Sequence, residues 1–134
     1  MDNILFKSCE NFANSLGFNI IKCKDENIRG FVAEVDIKGD LNYKIYVVLP
    51  KEKLDMISEA FFGDKDYDIE DLTKEVANLI VGNSNVVAAE ENINFDISVP
   101  KYLGEYKNID YDGKICLKSN GVNFFVLYKE NKEE

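Results

Sequence analysis

Histidine and tryptophan are absent from this 134-residue chain, and cysteine, methionine and proline number only three, two and two. Without an imidazole the chain cannot assemble a His-based zinc site, a serine triad or a Cys-His nucleophile of the usual kinds. Positive charge is scarce as well: 16 Lys plus Arg stand against 25 Asp plus Glu, a formal net charge of -9 with a pI near 4.6. Affinity for nucleic acid rests largely on cationic side chains displacing phosphate counterions, so this balance argues against a DNA or RNA partner. It favours encounter with a basic patch on another protein. Long apolar runs are also missing. The longest, Ile45 to Leu49 and Phe124 to Tyr128, have strand length, and the N-terminus lacks a basic region followed by an apolar stretch. These absences predict no membrane insertion and a cytoplasmic location. The cysteines, Cys9, Cys23 and Cys116, are odd in number, widely spaced and free of any Cys-x-x-Cys pair, so they read as small buried hydrophobes in a reducing compartment.

What is present is the composition of a folded domain, 46 % hydrophobic and 31 % charged. One domain is expected over residues 1–128, with a charged tail, 129–134, that frays. Leu5, Cys9, Phe12 and Leu16 repeat at helical spacing and Gly17 supplies a stop. A short strand-like run follows from Phe18 to Cys23. Ile28 to Ile37 and Leu41 to Leu49 alternate as half-buried strands around a Gly39-Asp40 turn and are expected to pair antiparallel. Pro50 closes that hairpin, and Lys51 to Phe62 reads as a short helix through Leu54, Ile57 and Phe61. A longer helix runs from Ile69 to about Ala88. Asn94 to Val99 is a strand ending at Pro100, and Lys114 to Lys118 and Val122 to Tyr128 flank an Asn120-Gly121 hairpin turn. Gly30, inside a strand, marks a bulge or a close approach. The expected fold class is α+β, an antiparallel sheet with two main helices packed on it.

The helix from Ile69 carries the functional signal. At about 100° per residue, Ile69, Leu72, Val76, Leu79 and Ile80 share one arc, predicted to face the sheet. Asp71, Glu75, Asn78, Gly82 and Asn85 share the arc predicted to face solvent. Every amphipathic helix has a polar face, so the stripe alone means little. Gly82, however, costs a helix interior about 1 kcal/mol relative to Ala and sits where core packing does not call for it. Asn78 is also a poor mid-helix residue, because its amide competes for backbone hydrogen bonds. A bare backbone patch beside projecting polar groups admits another protein closely.

The run Asp71-Leu72-Thr73-Lys74-Glu75-Val76-Ala77-Asn78-Leu79-Ile80-Val81-Gly82-Asn83, followed by Pro100, resembles the signature of the CheC, CheX and FliY family of chemotaxis phosphatases. That signature comprises an acidic or Ser residue, Glu four positions on, Asn three further, then a Gly-Asn pair and a more distant Pro. Here the stretch between Asn78 and Pro100 is slightly short, and Ser84-Asn85 replaces the more usual Ala-Lys. The first helix offers Glu10 but has Ala13 in place of the asparagine, so a single site is expected, as in CheX. The resemblance implies a phosphatase that removes the aspartyl phosphate of a CheY-type response regulator in chemotaxis signalling. In that reading Asn78 orients the attacking water, Glu75 reaches a lysine at the rim of the receiver's pocket, and Asp71, Gly82 and Asn85 contact the partner. Asp71 also suits the first helical turn, where acidic groups complement the macrodipole. No cofactor is implied on this chain; Mg2+ belongs to the phosphorylated receiver. The family also implies a homodimer through sheet edges, with Asn94 to Val99 or the Asn120-Gly121 hairpin as material. The alternative is a non-catalytic adaptor that holds a receiver or a flagellar motor component.

Two other features have competing readings. The acidic cluster Asp64, Asp66, Asp68, Glu70 and Asp71 resembles a calcium loop in composition but lacks EF-hand spacing. In the loop expected after Pro100, Tyr102, Tyr106 and Tyr111 either form a recognition surface or cover the sheet edge or a subunit contact.

Overall fold

A computed structural model describes residues 1–131. Among these residues the elements are α1 (Asp2–Ser15), β1 (Ile21–Lys22), β2 (Phe31–Gly39), β3 (Tyr43–Leu49), α2 (Lys51–Phe62), α3 (Ile69–Ala89), β4 (Phe95–Ile97), β5 (Lys101–Glu105), β6 (Gly113–Ser119) and β7 (Val122–Glu130). The strands form one antiparallel sheet in the order β1-β6-β7-β3-β2-β4, and β5 also pairs with β2. The chain is thus α+β with helices against an antiparallel sheet, as expected.

Alternation along the strands dictates the layers. Ala33, Val35 and Ile37 of β2 and Ile45, Val47 and Leu49 of β3 point to one face, where they meet Leu5 and Phe12 of α1, Leu54 of α2, and Val76 and Ile80 of α3. Burying each such aliphatic side chain stabilises the fold by about 1.5–3 kcal/mol, and this shared core fixes all three helices on that face. The opposite face buries Val32, Tyr46, Val48, Cys116, Phe125 and Leu127 beneath loop residues that include Ile28, Tyr106, Ile109 and Tyr111. Tyr106 and Tyr111 therefore cover the sheet.

Several turns follow their residue types. Asn120 and Gly121 both take positive φ, 49° and 77°, the geometry of a tight hairpin turn between β6 and β7. At Gly30 (φ 130°) an added Cβ would lie 2.5 Å from the Leu49 carbonyl carbon, so the expected close approach is present. The β6–β7 turn is not a sheet edge; the edges are β1 on one side and β4 with β5 on the other.

Three expectations need correction. Cys23 and Cys116 are joined in a disulfide across 93 residues of sequence, so they are not isolated buried thiols. Antiparallel pairing of β1 with β6 brings these distant positions to a Cα separation of 5.1 Å, which spacing along the chain does not reveal. Cys9 does remain a free buried thiol, and burial raises its pKa. Second, Lys129 and Glu130 belong to β7, opposite Lys44 and Tyr43, and the Asn131 N–H donates to the Asn42 carbonyl at 2.8 Å. Ladder pairing uses the backbone, so charged side chains do not prevent it; the rest of the expected tail, 132–134, lies outside the described residues. Third, the segment after Pro100 is not loop throughout: Lys101–Glu105 forms β5 on the same side of β2 as β4.

Lys53 is an unusual interior residue, 2 % exposed on α2. Its ammonium donates to the Ser119 carbonyl at 2.9 Å and to the Ser119 hydroxyl, and lies 5.5 Å from the Phe124 ring centroid. These partners are neutral, and burial pulls its pKa down to about 8.

Candidate functional site

The site rests on α3, whose start is fixed locally. The Asp68 carboxylate accepts from the Asp71 N–H at 3.0 Å, an N-cap, and Glu70 and Asp71 occupy the first turn where acidic groups suit the helix dipole. Asp64 likewise accepts from the Asp66 N–H, so two members of the acidic cluster organise the loop and the helix start. Half-buried Tyr102 of β5 senses that acidity: burial, then Glu70, Glu105 and Asp68, raise its phenol pKa.

Leu72, Val76 and Ile80 are buried as expected. Leu79 is not; it is 40 % exposed, and this corrects its assignment to the sheet-facing arc. The buried stripe is rotated toward Thr73, Ala77, Ser84 and Ala88, small residues that let α3 lie close to its neighbours. The two hydroxyls are satisfied within the helix, Thr73 by the Ile69 carbonyl and Ser84 by that of Val81.

On the opposite side Asp71, Glu75 and Asn78 are exposed. Glu75 and Asn78 are separated by about 4.5 Å of helix rise and about 60° of rotation, so they project together. Neither is tied by a hydrogen bond or ion pair to another described residue, whereas the adjacent Lys74 is held by Glu70 at 3.2 Å. Gly82 and Asn85, expected on the open face, are half-buried. An added Cβ at Gly82 would meet no atom within 4 Å, so packing within the chain is not why glycine stands there.

The fold brings Pro100 to this helix. Ser98 anchors the junction of β4 and β5, its N–H donating to the Asp36 carbonyl and its hydroxyl accepting from the Asp36 N–H, both at 2.9 Å. Val99 and Pro100 then join Asp71, Lys74, Glu75 and Asn78 around a groove of about 340 Å³. A larger groove of about 720 Å³ lies along α3 beside the end of α2, with Asp71, Leu72, Glu75 and Leu79 contributed by α3. Asp71 and Glu75 therefore stand on a ridge between two depressions.

Sequence reasoning missed Val99, 87 % exposed, and the contact between α1 and α3 in which the Asn11 side-chain amide donates to that of Asn83 at 2.9 Å. The Gly82-Asn83 pair was visible, but its partner 72 residues away was not. On α1 the position equivalent to Asn78 in that spacing, Ala13, is buried. Among the described residues, α3 is the one helix that carries an exposed Glu-x-x-Asn arrangement.

The architecture is that of an α+β domain, with its long helices on one face of an antiparallel sheet and an exposed acid and amide on the third helix. No family model and no curated protein sequence matches the chain. Among solved structures it is similar to the chemotaxis protein CheX of Desulfovibrio desulfuricans, with 22 % identity, a TM-score of 0.75, and 96 % of this chain and 97 % of that one covered. CheX of Vibrio vulnificus matches with 17 % identity, a TM-score of 0.78 and the same coverage. A complex of CheX with CheY, BeF3 and Mg2+ from Borrelia burgdorferi matches with 16 % identity, a TM-score of 0.70, and 96 % of this chain and 97 % of that one covered. Identities this low establish the fold.

Proposed function

We propose that this protein is a CheX-like phosphatase acting on the aspartyl phosphate of a CheY-type receiver in chemotaxis signalling. The observation that carries the reading is the exposed, unengaged pair Glu75 and Asn78 beside Pro100. The fold shared with CheX, one example of which is in complex with CheY, BeF3 and Mg2+, supports it.

An aspartyl phosphate is an activated acyl phosphate, so the phosphatase has little covalent work to do. Phosphoryl transfer passes through a loose transition state, and the main help is to hold water in line with the leaving carboxylate. The Asn78 carboxamide can accept from and donate to such a water but is no strong base. Water oxygen bonds to phosphorus, the bond to the aspartyl oxygen breaks, and the products are the receiver's free carboxylate and inorganic phosphate, with the water's proton left on phosphate or solvent. Mg2+ held by the receiver would screen the phosphoryl charge. Glu75 docks through a charge-assisted contact to a receiver lysine. If the protein dimerises through a sheet edge, the β4 and β5 side of β2 is the available one.

Phosphate release from phosphorylated receivers of the same genome tests this. Wild-type protein is expected to exceed receiver autodephosphorylation, Asn78→Ala to abolish the excess, and Glu75→Ala to raise KM about tenfold, the equivalent of one charge-assisted hydrogen bond. Wild-type rates equal to autodephosphorylation, with binding retained, would instead identify an adaptor.

A further inference from the structure

The larger groove extends the surface that a receiver would meet, and this inference rests on the phosphatase reading. Its walls are Phe61 and Phe62 at the end of α2, Tyr67 of the connecting loop, and Leu72 and Leu79 of α3. Phe62 is 62 % exposed and Leu79 40 %. A helix spends an apolar residue on solvent freely, but two large ones facing a single depression form a patch, which soluble surfaces ordinarily keep small.

The rim is strongly acidic. Asp66, Asp68, Asp71 and Glu75 border the groove, and among the described residues no lysine or arginine lines it. An apolar floor under four carboxylates selects an occupant with the complementary pattern, an apolar side chain flanked by cations. Asp71 and Glu75 also border the groove that holds Asn78 and Pro100. A helix is only about 10–12 Å across, and a standard interface covers about 800 Å² per partner, so one protein seated over Asn78 extends past the ridge.

We propose that the apolar groove between the end of α2 and α3 is a second docking surface for the same receiver. It takes a surface segment of the receiver in which an apolar residue is flanked by lysine or arginine. Asn78 supplies chemistry that any aspartyl-phosphate receiver could use, whereas this groove discriminates among receivers by a patch remote from the phosphate. Phe62 and Leu79 are the specificity-determining side chains, and Glu75 serves both halves of the footprint.

The test compares wild type with the double variant Phe62→Ala/Leu79→Ala, both side chains being exposed and outside the buried core. Binding is titrated against receiver carrying Mg2+ and beryllofluoride, and KM and kcat are measured on phosphorylated receiver. The expected result is a rise of at least about tenfold in Kd and KM on losing the two desolvated apolar anchors, with the loss falling on KM and turnover at saturation retained. Unchanged Kd and KM in the variant, while wild type still hydrolyses, would overturn the groove proposal and leave the phosphatase reading standing. Absence of both binding and hydrolysis by wild type would overturn the two together. Sedimentation showing dimers that dissociate in the double variant, with receiver affinity unchanged, would assign the groove to a second copy of this chain and overturn the receiver as its occupant.

Discussion

Helices α1 and α3 lie against the same sheet face and touch through the Asn11–Asn83 amide pair, yet they expose different chemistry. On α3, Glu75 and Asn78 project into solvent unengaged. On α1, Glu10 is held by Lys7 at 3.3 Å, and the residue three positions further, Ala13, is 4 % exposed. The same spacing thus lands on the surface in one helix and in the core in the other. A spacing motif becomes a site only when the helix is rotated to present it, and the rotation is decided by which residues the core takes.

Three substitutions sharpen that contrast, and the most disruptive is Ala13→Asn. It writes the missing amide into α1, but at a buried position, so a loss of about 2 kcal/mol in urea unfolding is expected, with no phosphate release gained from that helix. Added phosphate release from an Asn78→Ala background would refute the comparison. Next comes Asn83→Ala, which removes the α1–α3 amide contact and is expected to cost about 1 kcal/mol. Because Asn11 then has nothing further to lose, the double variant with Asn11→Ala should cost little more than the single one. Gly82→Ala has the smallest effect on stability and the opposite sign, a gain of up to about 1 kcal/mol in a helix with open space at that Cβ. The same methyl should weaken receiver binding, which titration measures, because it intrudes where the partner's surface approaches. A gain in stability with unchanged affinity would leave the glycine unexplained.

Much of the scaffold is legible in the sequence. The helix Lys51–Phe62 has the expected ends, and α3 stops at Ala89 rather than Ala88, because Pro50, Gly63 and Asp68 act locally through backbone geometry and capping. The β2–β3 and β6–β7 hairpins followed from alternation and turn residues. What was hidden depends on partners distant in sequence. Strand β5 reads Lys-Tyr-Leu-Gly-Glu, in which no residue is buried, so it gives no periodic hydrophobic signal; only its pairing with β2 makes it a strand. Leu79 falls on the apolar arc because leucine is usually core, and neither arc includes Thr73 or Ser84, which are buried with their hydroxyls satisfied inside the helix. For the site, Glu75, Asn78 and Asp71 were legible as a polar stripe, whereas the flanking Val99 and Phe62 became meaningful only once β4, β5 and α2 were in place.

The bridge between Cys23 and Cys116 has a consequence for the integrity of the molecule. It encloses every element from β2 to β5 in one covalent ring, including the acidic connection ahead of α3 and both grooves. A nick anywhere in that ring leaves the two pieces tethered, so α3 stays joined to the sheet that aims it while the bridge is oxidised.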